Sequence, residues 1–194
     1  MSTTASEIAP LSFEDASSRP RCGCKGPGAE DWLRSAGYRV PVAPNSAVID
    51  DAGVFIARLA SSEFLLESLH GAGDATGAAR IRASRSDLSE RAQPPTVYAV
   101  ARMDVVTTIS GSRLNALLRE ICSVDFAPML EGVATDAVRS GQPVVLTSMV
   151  GVGVVAWPHA VSSGPAVTLW CEPSYGHYFL NTLREVAHDI DGGR

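Results

Sequence analysis

Two stretches decide how this chain folds: Cys24-Lys25-Gly26-Pro27-Gly28-Ala29-Glu30-Asp31-Trp32-Leu33 and Ile109-Ser110-Gly111-Ser112-Arg113-Leu114-Asn115-Ala116-Leu117-Leu118. In the first, Ala29, Trp32, Leu33 and Ala36 recur at i, i+3, i+4 and i+7. In the second, Leu114, Leu117, Leu118 and Ile121 do the same. That spacing is the apolar stripe of a helix laid on a core. Each stripe begins three residues after a glycine, Gly26 or Gly111, where a residue without Cβ relieves a tight strand-to-helix turn. Pro27 fits near the first helical turn. The shared order of turn and helix predicts a duplicated unit.

Working outward, residues 70–95 read as a linker, with Gly71, Gly73, Gly77 and Pro94-Pro95 and one short helix about 75–81. The linker separates two similar halves, about 21–83 and 96–192. In the first half, residues 54–59 and 64–67, joined by Ala60-Ser61-Ser62, form a hairpin. In the second, residues 97–109 form one strand leading into the helix. Residues 144–157 form one long Val-rich strand bent at its glycines, and 167–171 form another strand after a Ser162-Ser163-Gly164-Pro165 turn. A last helix over 174–190 carries Phe179, Leu183, Val186 and Ile190 on one face. This mixture predicts an α+β fold with mainly antiparallel sheets, built as one domain over 21–194. Residues 1–20 are rich in Ser, Thr and Ala, with Leu11 and Phe13 as apolar anchors. They read as a flexible N-terminal arm that gains order against a partner.

The chain has 194 residues, of which 45% are hydrophobic and 19% charged, a globular composition rather than a disordered one. Net charge is −5, and the 16 Lys and Arg are scattered along the sequence, which argues against nucleic acid as partner. No apolar run approaches the ~18 residues a membrane helix needs. Residues 1–10 lack the basic start and apolar stretch of a signal peptide, so the expected location is cytoplasmic. Four cysteines, Cys22, Cys24, Cys122 and Cys171, are too few and irregular for a disulfide framework.

Several motifs invite a chemical reading and are better explained structurally. Gly151-Val152-Gly153-Val154-Val155-Ala156 matches the dinucleotide fingerprint letter by letter, but Trp157-Pro158 follows where a helix is required. Gly26-Pro27-Gly28 lacks the Lys-Ser/Thr ending of a phosphate-binding loop. Cys22-Gly23-Cys24 offers two thiolates where structural zinc takes four ligands, so these cysteines read as small core residues. His177 and His188 share a helix face with no carboxylate to complete a metal set. They, like His70 and His159, read as surface or hydrogen-bonded residues. No Gly-x-Ser-x-Gly elbow is present. Asp50-Asp51, Asp104 and Asp125 lie at element ends, where acids cap and turn the chain. The expectation is that the chain has no catalytic, cofactor-binding or metal-binding residues of its own.

Taken together, the segments resemble a known family. Residues 21–29, continuing through Trp32-Leu33, Val40-Pro41 and Pro44-Asn45, are similar to the opening of gamma subunits of heterotetrameric sarcosine oxidase. Residues 54–66, with Arg58-Leu59 and Glu63-Phe64-Leu65, resemble their hairpin. Residues 111–125, followed by Phe126, resemble their second helix and the turn after it, and 174–183 their closing helix. The order and spacing over 21–190 carry the resemblance. The T-protein-like small subunit of N-methylglutamate dehydrogenase is similar almost as closely.

The resemblance implies a fold like the folate-binding domain of aminomethyltransferase, the T-protein of glycine cleavage. It implies a non-catalytic structural subunit of a flavin- and folate-dependent complex that oxidatively demethylates sarcosine or a related N-methyl amino acid. The implied partners are a larger folate- and flavin-binding alpha subunit, a flavoprotein beta subunit and a small zinc-binding delta subunit. These would carry FAD, FMN, NAD and tetrahydrofolate, with no cofactor in this chain. Folate-using relatives carry an acidic residue after a Gly-rich strand, and residues 149–157 have none. The alternative is a stand-alone aminomethyltransferase-like enzyme that binds tetrahydrofolate itself.

Overall fold

Alternation along the strands explains why so much of this sequence is apolar: both faces of each sheet are covered. In β4 (Val54–Ala60), Val54 and Ile56 enter one core while Phe55, Ala57 and Leu59 enter another. In β10 (Val152–Val161), Val152, Val154 and Ala156 face one side and Trp157 the other. The computed structural model describes residues 10–70, 76–90, 96–132 and 141–192.

The first half runs β2 (Arg21–Lys25), α1 (Ala29–Ser35), β3 (Ser46–Ile49), β4, β5 (Glu63–Ser68) and α2 (Gly77–Glu90). The second runs β7 (Val105–Ser110), α3 (Leu114–Ile121), α4 (Ala127–Glu131), β9 (Val145–Met149), β10, β11 (Gly164–Cys171) and α5 (Gly176–Asp191). Their sheets share one order, β2-β5-β4-β3 and β7-β11-β10-β9. Every strand pairing among the described residues is antiparallel. Leu33, Ile81 and Leu88 of α1 and α2 pack on the outer face of the first sheet. Leu117, Leu118, Phe179 and Leu183 of α3 and α5 pack on the outer face of the second. The inner faces meet through Phe55, Leu65, Val106, Trp157 and Trp170. The predicted α+β fold of two pseudo-repeated halves is the observed one.

The halves interlock by exchanging edge strands. The strand preceding the first half, β1 (Ser12–Asp15), pairs with β7 of the second, Ser12 opposite Ser110. The strand preceding the second, β6 (Tyr98–Val100), pairs with β2 of the first, Tyr98 opposite Lys25. A bridge at β8 (Gln142–Pro143) adds to the outer edge of β3. The two turn glycines occupy equivalent places in this exchange. Gly26 has φ 118° and Gly111 φ 134°. A Cβ would meet Thr96 O at 2.3 Å in the first and Pro10 O at 2.7 Å in the second. Only glycine tolerates both the conformation and the approach.

Four expectations are corrected. Residues 12–15 are a sheet strand rather than an arm. Leu11 and Phe13 pack on the second core, and Ala16 is buried between the sheets, so the chain itself supplies the covering surface; residues 1–9 lie outside the described residues. The stretch 97–109 is two strands in different sheets, split at 101–104 where the chain crosses between halves. The stretch 144–157 is a hairpin rather than one bent strand. Val150 and Gly151, with φ 44° and 82°, form its two-residue turn, the positive pair that such tight turns require. The linker helix is α2, fourteen residues long, where a short one was expected; Ala75, Gly71, Gly73 and Pro94-Pro95 lie outside the described residues.

Candidate functional site

The inner faces of the sheets carry charged and polar groups, of which sequence reading singled out His159 as hydrogen-bonded but not Glu67. Glu67, at the end of β5, is fully buried. Its Oε2 accepts from Arg21 Nε at 2.9 Å and, across the interface, from Trp170 Nε1 at 2.7 Å. The other Arg21 nitrogens donate to Asp104 O, Ala16 O and Ser17 O. Arg19 Nη1 lies 3.7 Å from Glu67 Oε1. Burial pushes the Glu67 carboxyl up, against the pull of Arg21 and the Trp170 N–H. Alternation gave the signal that finds this group: Leu65 and Glu67 share the face opposite to Phe64 and Leu66.

A second network runs through His159. Its Nδ1 lies 3.3 Å from Ala160 O, and its Nε2 is 2.9 Å from Thr168 Oγ1, which is 2.9 Å from Thr108 Oγ1. An Nδ1–H donating to the carbonyl leaves Nε2 to accept from Thr168 and fixes a neutral tautomer. Trp157 stacks on the ring at 4.0 Å. Burial lowers this imidazole from 6.5 to about 4. His159 is therefore an uncharged, hydrogen-bonded wall residue near neutral pH.

The other residues weighed from sequence are not brought together. Cys22 and Cys24 face the helices in the first core, and burial pushes both thiols up to about 12. Cys171 lies in the second core with its thiol pushed up to about 11. Such thiols stay protonated and pack as small apolar groups. His177 and His188 are exposed on α5, and the His177 ring lies beside the Asn181 amide. Asp50 shapes a turn, accepting from Ala52 N and Val54 N while its Oδ2 meets Arg80 Nη1 at 2.6 Å. Asp125 Oδ1 accepts from Ala127 N at the start of α4. The glycine pattern at 151–156 lies on strand, turn and strand. Among the described residues no cluster of three His, Cys, Asp or Glu could hold a metal ion, and no helix is long and apolar enough to cross a membrane.

Two concavities flank the crossover at 101–104. One, of about 600 Å³, lies between α2, β2 and β6, and Arg19, Arg21, Arg82, Arg85 and Arg102 line it. The other, of about 790 Å³, lies beside β9, β10 and β11, with Met103, Leu146, Val155 and Trp170 in its wall. Met103 is 72% exposed and Leu146 51%. Asp104 Oδ2 and Arg102 Nε are buried here with no hydrogen-bond partner among the described residues.

With this geometry the chain is similar to two solved proteins. It matches heterotetrameric sarcosine oxidase from Corynebacterium sp. U-96, solved with pyrrole 2-carboxylate, at a TM-score of 0.66 and 18% identity, over 92% of this chain and 84% of that one. It matches the glycine cleavage system aminomethyltransferase T from Bartonella henselae at a TM-score of 0.56 and 13% identity, over 91% of this chain and 46% of that one. No protein-family model matches the sequence, and no curated protein matches it significantly. The architecture is a T-protein-like α+β fold with antiparallel sheets, and this chain spans just under half of the transferase.

Proposed function

We propose that this chain is a non-catalytic structural subunit, of the gamma type, in a flavin- and folate-dependent complex that oxidatively demethylates sarcosine or a related N-methyl amino acid. The observation that carries this reading is the extent of the two matches. The chain corresponds to most of a chain found in a heterotetramer but to less than half of the aminomethyltransferase. A scaffold role also suits the interior, where Glu67, His159 and three thiols are committed to packing and hydrogen bonding. The concavity with Met103 and Leu146 exposed beside Trp170 is the face on which a larger subunit would rest. In this reading FAD, FMN, NAD, tetrahydrofolate and zinc belong to the alpha, beta and delta partners.

The second reading, a stand-alone tetrahydrofolate-binding transferase, is favoured by the likeness to aminomethyltransferase over 91% of this chain. Calorimetric titration of the isolated chain with tetrahydrofolate separates the two. The structural reading expects no saturable binding up to about millimolar ligand, and affinity of about 1 μM or tighter would establish the enzyme reading instead.

A further inference from the structure

The geometry points to the outer edge of β9 as the place where an extended, basic segment of the partner chain adds to the second sheet, an inference that rests on the subunit reading. β9 is the last strand of its sheet, and no strand among the described residues lies on its outer side. Of the four edge strands it is the longest, with five residues, and it carries no charge or proline. β1 carries Glu14 and Asp15, β8 ends in Pro143, and β6 has three residues. Met149 and Val152 face each other across a two-residue turn, which makes them a pair that exchanges both backbone bonds. Alternation then turns the N–H and C=O of Leu146 and Ser148 away from β10, toward the open edge. Both residues are exposed, and no turn, loop or cap hydrogen bond reaches either among the described residues. Such an unprotected row of donors and acceptors is a template for one more strand.

The concavity of about 790 Å³ beside this edge gives the incoming strand its side-chain chemistry. Leu146 lies opposite Val155 and Ser148 opposite Gly153, so all four share one sheet face. A Cβ on Gly153 would meet nothing within 4 Å, which leaves the floor open to an apolar side chain, with Met103 on the rim. Three charged side chains line the same concavity. Arg102 is already held by Glu63 at 2.9 Å. Glu172 accepts from the N–H and hydroxyl of Ser174, neutral donors that leave its charge in place. Asp104 Oδ2 is buried with no hydrogen-bond partner among the described residues. A buried carboxylate oxygen without a donor is costly, and a Lys or Arg arriving on the added strand supplies that donor. The open edge therefore sets the backbone form of the occupant, and Asp104 with Glu172 sets its charge.

The test compares amide hydrogen exchange in the isolated full chain with exchange in the complex recovered from the native source. The amides of Leu146 and Ser148 should slow at least about tenfold in the complex. Cross-linking and mass spectrometry should join β9 to a segment of the larger chain that contains Lys or Arg. Ser148→Pro removes one outward N–H at an edge position where proline is tolerated, and Asp104→Asn removes the unpaired charge. Each should weaken association at least about tenfold while leaving the melting temperature of the isolated chain nearly unchanged. The control Asp31→Asn, at an exposed acid of α1, should leave association within about twofold. The exchange measurement uses the parent chain, so it decides the question even where a variant fails to fold. A complex in which both amides exchange as fast as in the isolated chain overturns this proposal and leaves the subunit reading standing. Recovery of no partner at all overturns both. Protection that grows in the isolated chain as its concentration rises assigns the edge to a second copy, which also overturns the proposal.

Discussion

Trp170 Nε1 donates to Glu67 Oε2 across 2.7 Å, joining β11 of one sheet to β5 of the other through the only fully buried carboxylate among the described residues. Arg21 completes the pair from β2. Removing one member of such a set leaves an uncompensated buried charge. Glu67→Ala should therefore destabilise the chain by about 3–5 kcal/mol, and Arg21→Met by a similar amount. Joint replacement by Arg21→Met/Glu67→Ala should cost clearly less than the two changes summed. Urea denaturation of the three variants measures this, and strict additivity would refute the coupling.

His159 sets an acid limit on stability. Its imidazole is lowered in the folded chain from 6.5 to about 4. Between those values the unfolded chain takes up a proton that the folded chain refuses, so stability falls as pH drops from about 6.5 to about 4, by about 3 kcal/mol in all. His159→Gln, able to keep a bond to Thr168, should flatten that part of the profile relative to the parent. Parallel profiles for the two proteins would show that His159 ionises freely in the fold.

The first strand stabilises the isolated chain. Phe13 packs on the second core under Arg184, whose guanidinium lies 6.0 Å from the ring centroid, and Ala16 is 1% exposed. A chain lacking residues 1–16 should lose about 2 kcal/mol of burial and melt roughly 4–8 °C lower. An unchanged melting temperature would restore the reading of this segment as an arm.

The sequence revealed what local periodicity encodes. Stripes at 29–36 and 114–121 gave α1 and α3, and Ala60-Ser61-Ser62 marked the β4–β5 hairpin. The β9–β10 turn stayed hidden because Val150 occupies a left-handed position where Asn or Gly is the usual signal. Two external bonds hold it there: its N–H donates to Ile121 O, and its carbonyl accepts from Tyr178. α2 extends past the expected 75–81 because Ser84, which breaks the apolar spacing of its buried face of Ala78, Ile81 and Leu88, is satisfied there by Tyr38 OH at 2.7 Å. Edge-strand exchange leaves no local mark, since the pattern of β1 or β6 does not say which sheet receives it. The arginine cleft was illegible for the same reason. Its members are scattered from position 19 to position 102 and meet only once β2, β6 and α2 are assembled.

If this fold serves as a subunit, the composition of the particle it forms in its native source is the most direct measurement of that role. The tagged chain should be recovered by size exclusion and mass spectrometry in fixed stoichiometry with larger chains, one of them bearing bound flavin. That particle should demethylate sarcosine or N-methylglutamate. Recovery of the chain alone at its own 20.4 kDa mass, or with no flavin-bearing partner, would contradict the account.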